Sequence, residues 1–161
     1  MAMCTSKHWP RVADFFCKFA RIEFALKAIG FYKLCNDHEY DAKPDWDRFA
    51  TQFCQQIDGD PELAEAFRYF SERPPKKYVV RNKQLNWKEV VPNANKAKHL
   101  IDCLKRVRNN LFHGDKFNGN YSMNERDDAL ICHGLSVLDA CLRASQELSD
   151  AFYTGECRSI R

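Results

Sequence analysis

Glycine and proline are scarce, with six of each in 161 residues, which argues against a turn-rich all-β fold. No run approaches the ~20 apolar residues that a membrane span needs. Residues 1–10 lack the apolar core of a secretory signal. The eight cysteines contain no C-x-x-C pair, so a structural zinc site is not expected. Charge of one sign is not in large excess. Lys and Arg number 25 against 22 Asp and Glu, and a net charge of +3 does not by itself demand a nucleic-acid partner. These absences point to a soluble, cytoplasmic protein that is not in a membrane. Its cysteines are expected to be free thiols in a reducing compartment, most of them within apolar helical patterns.

What is present is apolar and aromatic. Hydrophobic residues make up 45% of the chain, with 12 Phe, 6 Tyr and 3 Trp. A chain of this length can bury roughly two thirds of its unfolded surface and needs no disulfide or metal to fold. Val12, Phe15, Phe19, Ile22, Leu26 and Ile29 recur at spacings of three and four, which predicts an amphipathic helix from about Pro10 to Leu34. Glu23 lies on the flank of that stripe, four residues before Lys27. Residues 36–44 read as a polar loop. Asp45 is a good N-cap for a second helix carrying Trp46, Phe49, Phe53 and Ile57, and Gly59 ends it. Asp60-Pro61 announces a third helix with Leu63, Phe67 and Phe70 on its inner face. A fourth begins near Asn93 or Asn95 and ends near His113-Gly114. A fifth is expected from about Asn124 to Tyr153, followed by Gly155 and a frayed tail at 156–161. The whole chain, 1–161, reads as one all-α domain, a bundle of four or five helices.

Residues 72–92 interrupt the helical pattern as a short basic insertion. Tyr78 to Val80 and Leu85 to Val91 suit the two strands of a β-hairpin, although no clean two-residue turn signal joins them. Arg73, Lys76, Lys77, Arg81, Lys83 and Lys88 face only Glu89 here. Charge runs are usually solvated loops. Tyr78 and Trp87 among the lysines also suit a surface that stacks bases and tracks phosphates, with Lys76, Lys77, Arg81, Lys83 and Trp87 as the contacts.

The densest chemistry is at the end of the fourth helix, in Arg106-Val107-Arg108-Asn109-Asn110-Leu111-Phe112-His113-Gly114-Asp115. Asn109 and His113 are i,i+4 neighbours and Arg108 is one step round, so all three are expected on one rim. His titrates near neutral pH and can shuttle a proton. Arg clamps phosphate oxygens. Asn can orient a hydroxyl or fix an imidazole tautomer. No Asp, Glu and His cluster with metal-ligand spacing lies nearby, so the implied chemistry is metal-independent. Arg106 is either a second RNA clamp or a solvated charge.

Arg108-Asn109 followed by His113 resembles the R-x4-6-H motif of HEPN-domain proteins (higher eukaryotes and prokaryotes nucleotide-binding). Most of the chain is similar to that superfamily in outline. It has a long first helix with an acidic flank residue, the motif at the end of a later helix, and a long closing helix. Arg21 to Lys27 also looks like the stand-alone, plasmid-encoded prokaryotic members. The resemblance implies a metal-independent RNA endonuclease without a cofactor, whose composite site forms where two motifs meet in a homodimer. It makes His113 the general acid/base. Arg108 would stabilise the phosphorane-like transition state, and Asn109 would position His113 or the phosphate. Glu23 either braces Arg108 or forms an ordinary pair with Lys27. A toxin or phage-defence role, with an antitoxin or other regulatory partner, is the matching biological expectation. HEPN toxins paired with nucleotidyltransferase antitoxins often carry a tyrosine two residues after the motif His. Here that position is Asp115, a supporting residue beside His113 or Lys116 instead. The alternatives are a non-catalytic HEPN module that binds RNA or a nucleotide, and a helical protein that serves only dimerisation.

Overall fold

The apolar stripe of the first helix sets the architecture. In a computed structural model, which describes residues 9–112 and 125–155, it forms α1 (Trp9–Ala28) and buries Val12, Phe15, Phe19, Ile22 and Leu26. α1 stops short of the expected Leu34. Gly30 takes a left-handed φ of 90°, Phe31 N–H reaches back to Leu26 C=O, and Gly30 N–H to Lys27 C=O. That pair of bonds is a Schellman ending, for which glycine carries no Cβ penalty. The loop that follows is closed at its base by a bridge between Tyr32 and Pro44.

α2 (Trp46–Phe53) is capped by Asp45, whose side chain accepts from Arg48 N–H, and it runs into a 3₁₀ segment, Cys54–Gly59. Asp60 caps α3 (Pro61–Glu72) by accepting from Glu62 and Leu63 N–H, with proline at the first position. α4 (Lys96–Phe112) starts after Asn95, whose side chain accepts from Lys98 N–H. The expected fifth helix is two helices, α5 (Glu125–Ala144) and α6 (Gln146–Thr154). Ser145 lies between them in extended conformation and caps α6 by accepting from Leu148 N–H. Local side-chain capping here outcompetes helix continuation. Gly155, at φ 71°, ends α6 as expected.

α1 packs on α5 and α6, α3 on α4 and α5, and α2 on α4. The core between them is aromatic, with Phe15, Phe19, Phe49, Phe53 and Phe70 fully buried. Gly134 on α5 lets α1 approach closely, because a Cβ there would lie 2.8 Å from Phe15 Cε2.

The fold is mostly helical but not strictly all-α. The basic insertion is an antiparallel hairpin of β1 (Lys77–Arg81) and β2 (Gln84–Lys88). Its turn is Asn82-Lys83, both at positive φ (52° and 61°), as a two-residue I′ turn requires. The cysteines are less core-like than expected. Of the six described, all free, Cys103 and Cys141 are buried, whereas Cys17, Cys35 and Cys54 are exposed. Among the described residues no helix is long and apolar enough to cross a membrane.

Candidate functional site

α4 positions the Arg108-Asn109 pair. Leu100, Ile101, Leu104 and Val107 fasten one face of this helix to the core. Each helical residue advances ~100°, so Arg108 and Asn109 leave α4 in different directions. The rim expected for Arg108, Asn109 and His113 includes His113, which lies outside the described residues. Arg108 turns towards α1, and Asn109 turns towards the hairpin.

Arg108 is held from two sides. Its guanidinium carbon sits 5.2 Å from the centre of the Phe19 ring, a cation–π geometry. Its Nη2 lies 3.6 Å from Glu23 Oε1. The indole of buried Trp46 donates to the same Glu23 oxygen at 3.1 Å, and its ring stacks obliquely on Phe19 at 5.4 Å. Glu23 therefore faces Arg108 rather than only its own helix neighbour Lys27. Trp46 fixes the carboxylate, and Phe19 fixes the plane on which the guanidinium rests. Arg108 is not sealed in, since its side chain keeps 33% of its exposure. Its Nε is buried without a hydrogen-bond partner among the described residues.

Asn109 lines an open cavity of about 460 Å3 between α4 and β1, together with Lys77, Tyr78, Asp102, Lys105 and Arg106. Asn110 anchors the hairpin to α4 by donating from Nδ2 to Lys76 C=O at 2.9 Å. Lys105 borders both this cavity and the smaller cleft of about 220 Å3 that contains Glu23 and Trp46. It thus connects the Arg108 side of α4 with the Asn109 side. Asp102 is flanked by Lys105 at 3.5 Å and Lys98 at 3.8 Å.

The basic residues separate into groups. Lys76 is bonded to Glu89 at 2.7 Å, and the ammonium holds the Glu89 carboxyl below the usual carboxylate range. Lys77 enters the cavity, and so does Arg106, which is half-buried there. Arg81 and Lys83 are exposed at the hairpin tip, and Trp87 is 45% exposed. His113 and Asp115 lie outside the described residues, as do the Gly114 cap, the loop after it through Asn124 and the tail at 156–161. Trp46 and Lys105 are the residues the sequence did not assign to the site. Trp46 read as core, which it is, and only its indole N–H carries the second role. Lys105, at i−4 from Asn109, was open to discovery by the same helical spacing.

No protein-family model, curated protein or solved structure matches the chain at a significant level of similarity. Among the described residues no three His, Cys, Asp or Glu side chains are grouped to hold a metal ion.

Proposed function

We propose that the chain is a metal-independent endoribonuclease of the HEPN type. The observation that carries this reading is Arg108, held near the end of α4 by Glu23 of α1 at 3.6 Å and still one-third exposed, five residues before His113. A guanidinium so fixed loses little freedom on meeting a phosphate, and preorganised charge stabilises a transition state without reorganisation.

In this mechanism a His113 imidazole takes the proton from a ribose 2′-OH. The freed oxygen attacks the adjacent phosphorus, and Arg108 stabilises the charge on the pentacoordinate phosphorane. The P–O5′ bond breaks, and an imidazolium returns a proton to the departing 5′-oxygen. The products are a 2′,3′-cyclic phosphate and a 5′-OH. Base and acid are the His113 side chains of two copies, so the site is composite and the working unit is a homodimer. Asn109 positions the imidazole or the scissile phosphate. Lys77, Arg81, Lys83 and Trp87 hold the RNA, with Lys76 contributing when Glu89 releases it. The protein works in the cytoplasm as a toxin or phage-defence nuclease under a regulatory partner.

A second reading has its own observation. The cavity lined by Lys77, Lys105, Arg106 and Asn109 suits a polyanion whether or not turnover follows, which fits a non-catalytic RNA- or nucleotide-binding module.

The test is the chemistry of the ends. Incubation of RNA with the full chain should give fragments carrying a 2′,3′-cyclic phosphate and a 5′-OH, identified by mass spectrometry. The same sequence as 2′-O-methyl RNA or DNA should remain intact, because neither offers the attacking hydroxyl. A 5′-phosphate paired with a 3′-OH at the break, or cleavage of DNA, would exclude the mechanism. Binding without any product at high protein concentration would favour the module.

A further inference from the structure

The hairpin carries an apolar face as well as charge. Its register sets Tyr78 opposite Trp87 and Val80 opposite Leu85. Alternate residues of a strand share a face, so these four side chains lie together. The rings of Tyr78 and Trp87 are 4.6 Å apart. Val80, Leu85 and Trp87 are 70%, 63% and 45% exposed. The same alternation places Lys77, Arg81 and Lys88 on the opposite face of the hairpin, and Lys83 is in its turn. The one carboxylate of the stretch, Glu89, is taken by Lys76. Tyr78 belongs to this face and also to the wall of the cavity that contains Asn109, so the face and the cavity are continuous.

Charge selects among occupants. A second copy packed on this apolar face would leave the cationic cavity beside Tyr78 unfilled. An anionic bilayer would accept the apolar side chains and the lysines, but it has no use for a cavity lined by an asparagine amide. A nucleic-acid duplex hides the faces of its bases. A single strand presents both the flat apolar rings and the phosphates that this surface matches.

We propose that the hairpin face and the adjoining cavity form a docking track for unpaired nucleotides. A base stacks on the Trp87–Tyr78 pair, and the following phosphate meets Lys77, Lys105 and Arg106 on the way to Asn109. This deepens the ribonuclease reading and rests on it for RNA, rather than DNA, as the ligand. The charge of Asp102 in the cavity wall is offset by Lys105 at 3.5 Å and by Lys98 at 3.8 Å, which Asp47 also holds at 2.6 Å.

The experiment uses the full chain carrying His113→Ala, so that substrate is not consumed. Fluorescence anisotropy is followed with labelled oligouridylate, with duplex RNA of equal length, and in competition with phosphatidylglycerol-rich vesicles. Oligouridylate should bind more tightly than duplex. Trp87→Ala should weaken binding roughly 5- to 150-fold, the range expected for one lost base–aromatic stack, and Trp87→Phe should retain most of it. Lys105→Gln should reduce the slope of log affinity against log salt by about 0.7, a readout that a change in folding alone would not produce. Equal affinity for duplex and single strand overturns the track. So does unchanged binding by Trp87→Ala, or no binding of oligouridylate at all. If the wild type cleaves RNA while Trp87→Ala binds normally, only the track fails. If the track behaves as stated and no RNA is cut, only the ribonuclease reading fails.

Discussion

Glu23 of α1 and Arg108 of α4 face each other at 3.6 Å, the guanidinium over the Phe19 ring, and Trp46 of α2 donates to the same carboxylate oxygen. Three helices thus converge on one guanidinium. The distance is longer than a tight ion pair, and both side chains keep contact with water, at 33% and 26% exposure. Their mutual attraction therefore contributes little stability, while the aromatic floor and the fixed carboxylate restrict where Arg108 can point.

Glu23→Gln separates those two effects. Unfolding free energy should fall by only about 0.5–1 kcal/mol, as for a partly exposed pair, measured by urea titration. RNA cleavage should fall further, roughly 10- to 100-fold, because small misplacements of a catalytic group are costly. Arg108→Lys should not preserve the rate, since an ammonium lacks the planar fork. Full activity in Glu23→Gln would remove Glu23 from any positioning role.

His99 makes stability depend on pH. It is buried on α4, and its Nδ1 accepts from Asn93 N–H at 3.2 Å. That arrangement uses the neutral imidazole. Burial pushes its pKa down, with nearby Arg106 acting in the same direction and Asp102 opposing. The unfolded chain therefore binds the proton at higher pH than the folded chain, and folding stability must fall as pH drops below about 6.5. Urea midpoints should decline from about pH 7 to about pH 5. His99→Gln should show a shallower decline, and the remainder belongs in part to His133, whose pKa burial also lowers. An identical slope in His99→Gln would contradict the assignment.

Gly134→Ala tests the α1–α5 contact. The added Cβ would lie 2.8 Å from the Phe15 ring, which has no exposure and little room to move. Overpacking of roughly 1–3 kcal/mol should exceed the gain in helix propensity of about 1 kcal/mol. Thermal unfolding should shift downwards, and Phe15→Leu combined with Gly134→Ala should recover part of the loss relative to Phe15→Leu alone.

Lys83→Gly tests the turn. A lysine at φ 61° bears a steric cost that glycine avoids, about 1 kcal/mol. Amide hydrogen exchange across residues 77–88 should slow in the variant. Faster exchange would mean that the turn does not limit the hairpin.

Much of the helical frame is written locally. Asp45, Asp60-Pro61 and Gly155 are short-range signals, and each acts where it stands. The errors came from signals of the same kind that the apolar period overrode. Gly30 stops α1 although Ile29 continues its stripe, and Ser145 divides α5 from α6 although Leu148 keeps the spacing. The hairpin turn was obscure because Lys83 occupies a position where glycine is the usual sign. At the site, the sequence supplied the motif and the charge on α1, but the distance between Glu23 and Arg108 is a tertiary fact. So is the divergence of Arg108 and Asn109, since adjacency in sequence says nothing about which neighbouring element each side chain meets.

The central claim is most directly tested by RNA cleavage in EDTA, comparing wild type with His113→Ala at equal concentration. Loss of the general acid/base should slow cleavage roughly 10²- to 10⁴-fold, with the chelator leaving the wild-type rate unchanged. An undiminished rate in His113→Ala, or wild-type cleavage that appears only when a divalent cation is restored, would contradict it.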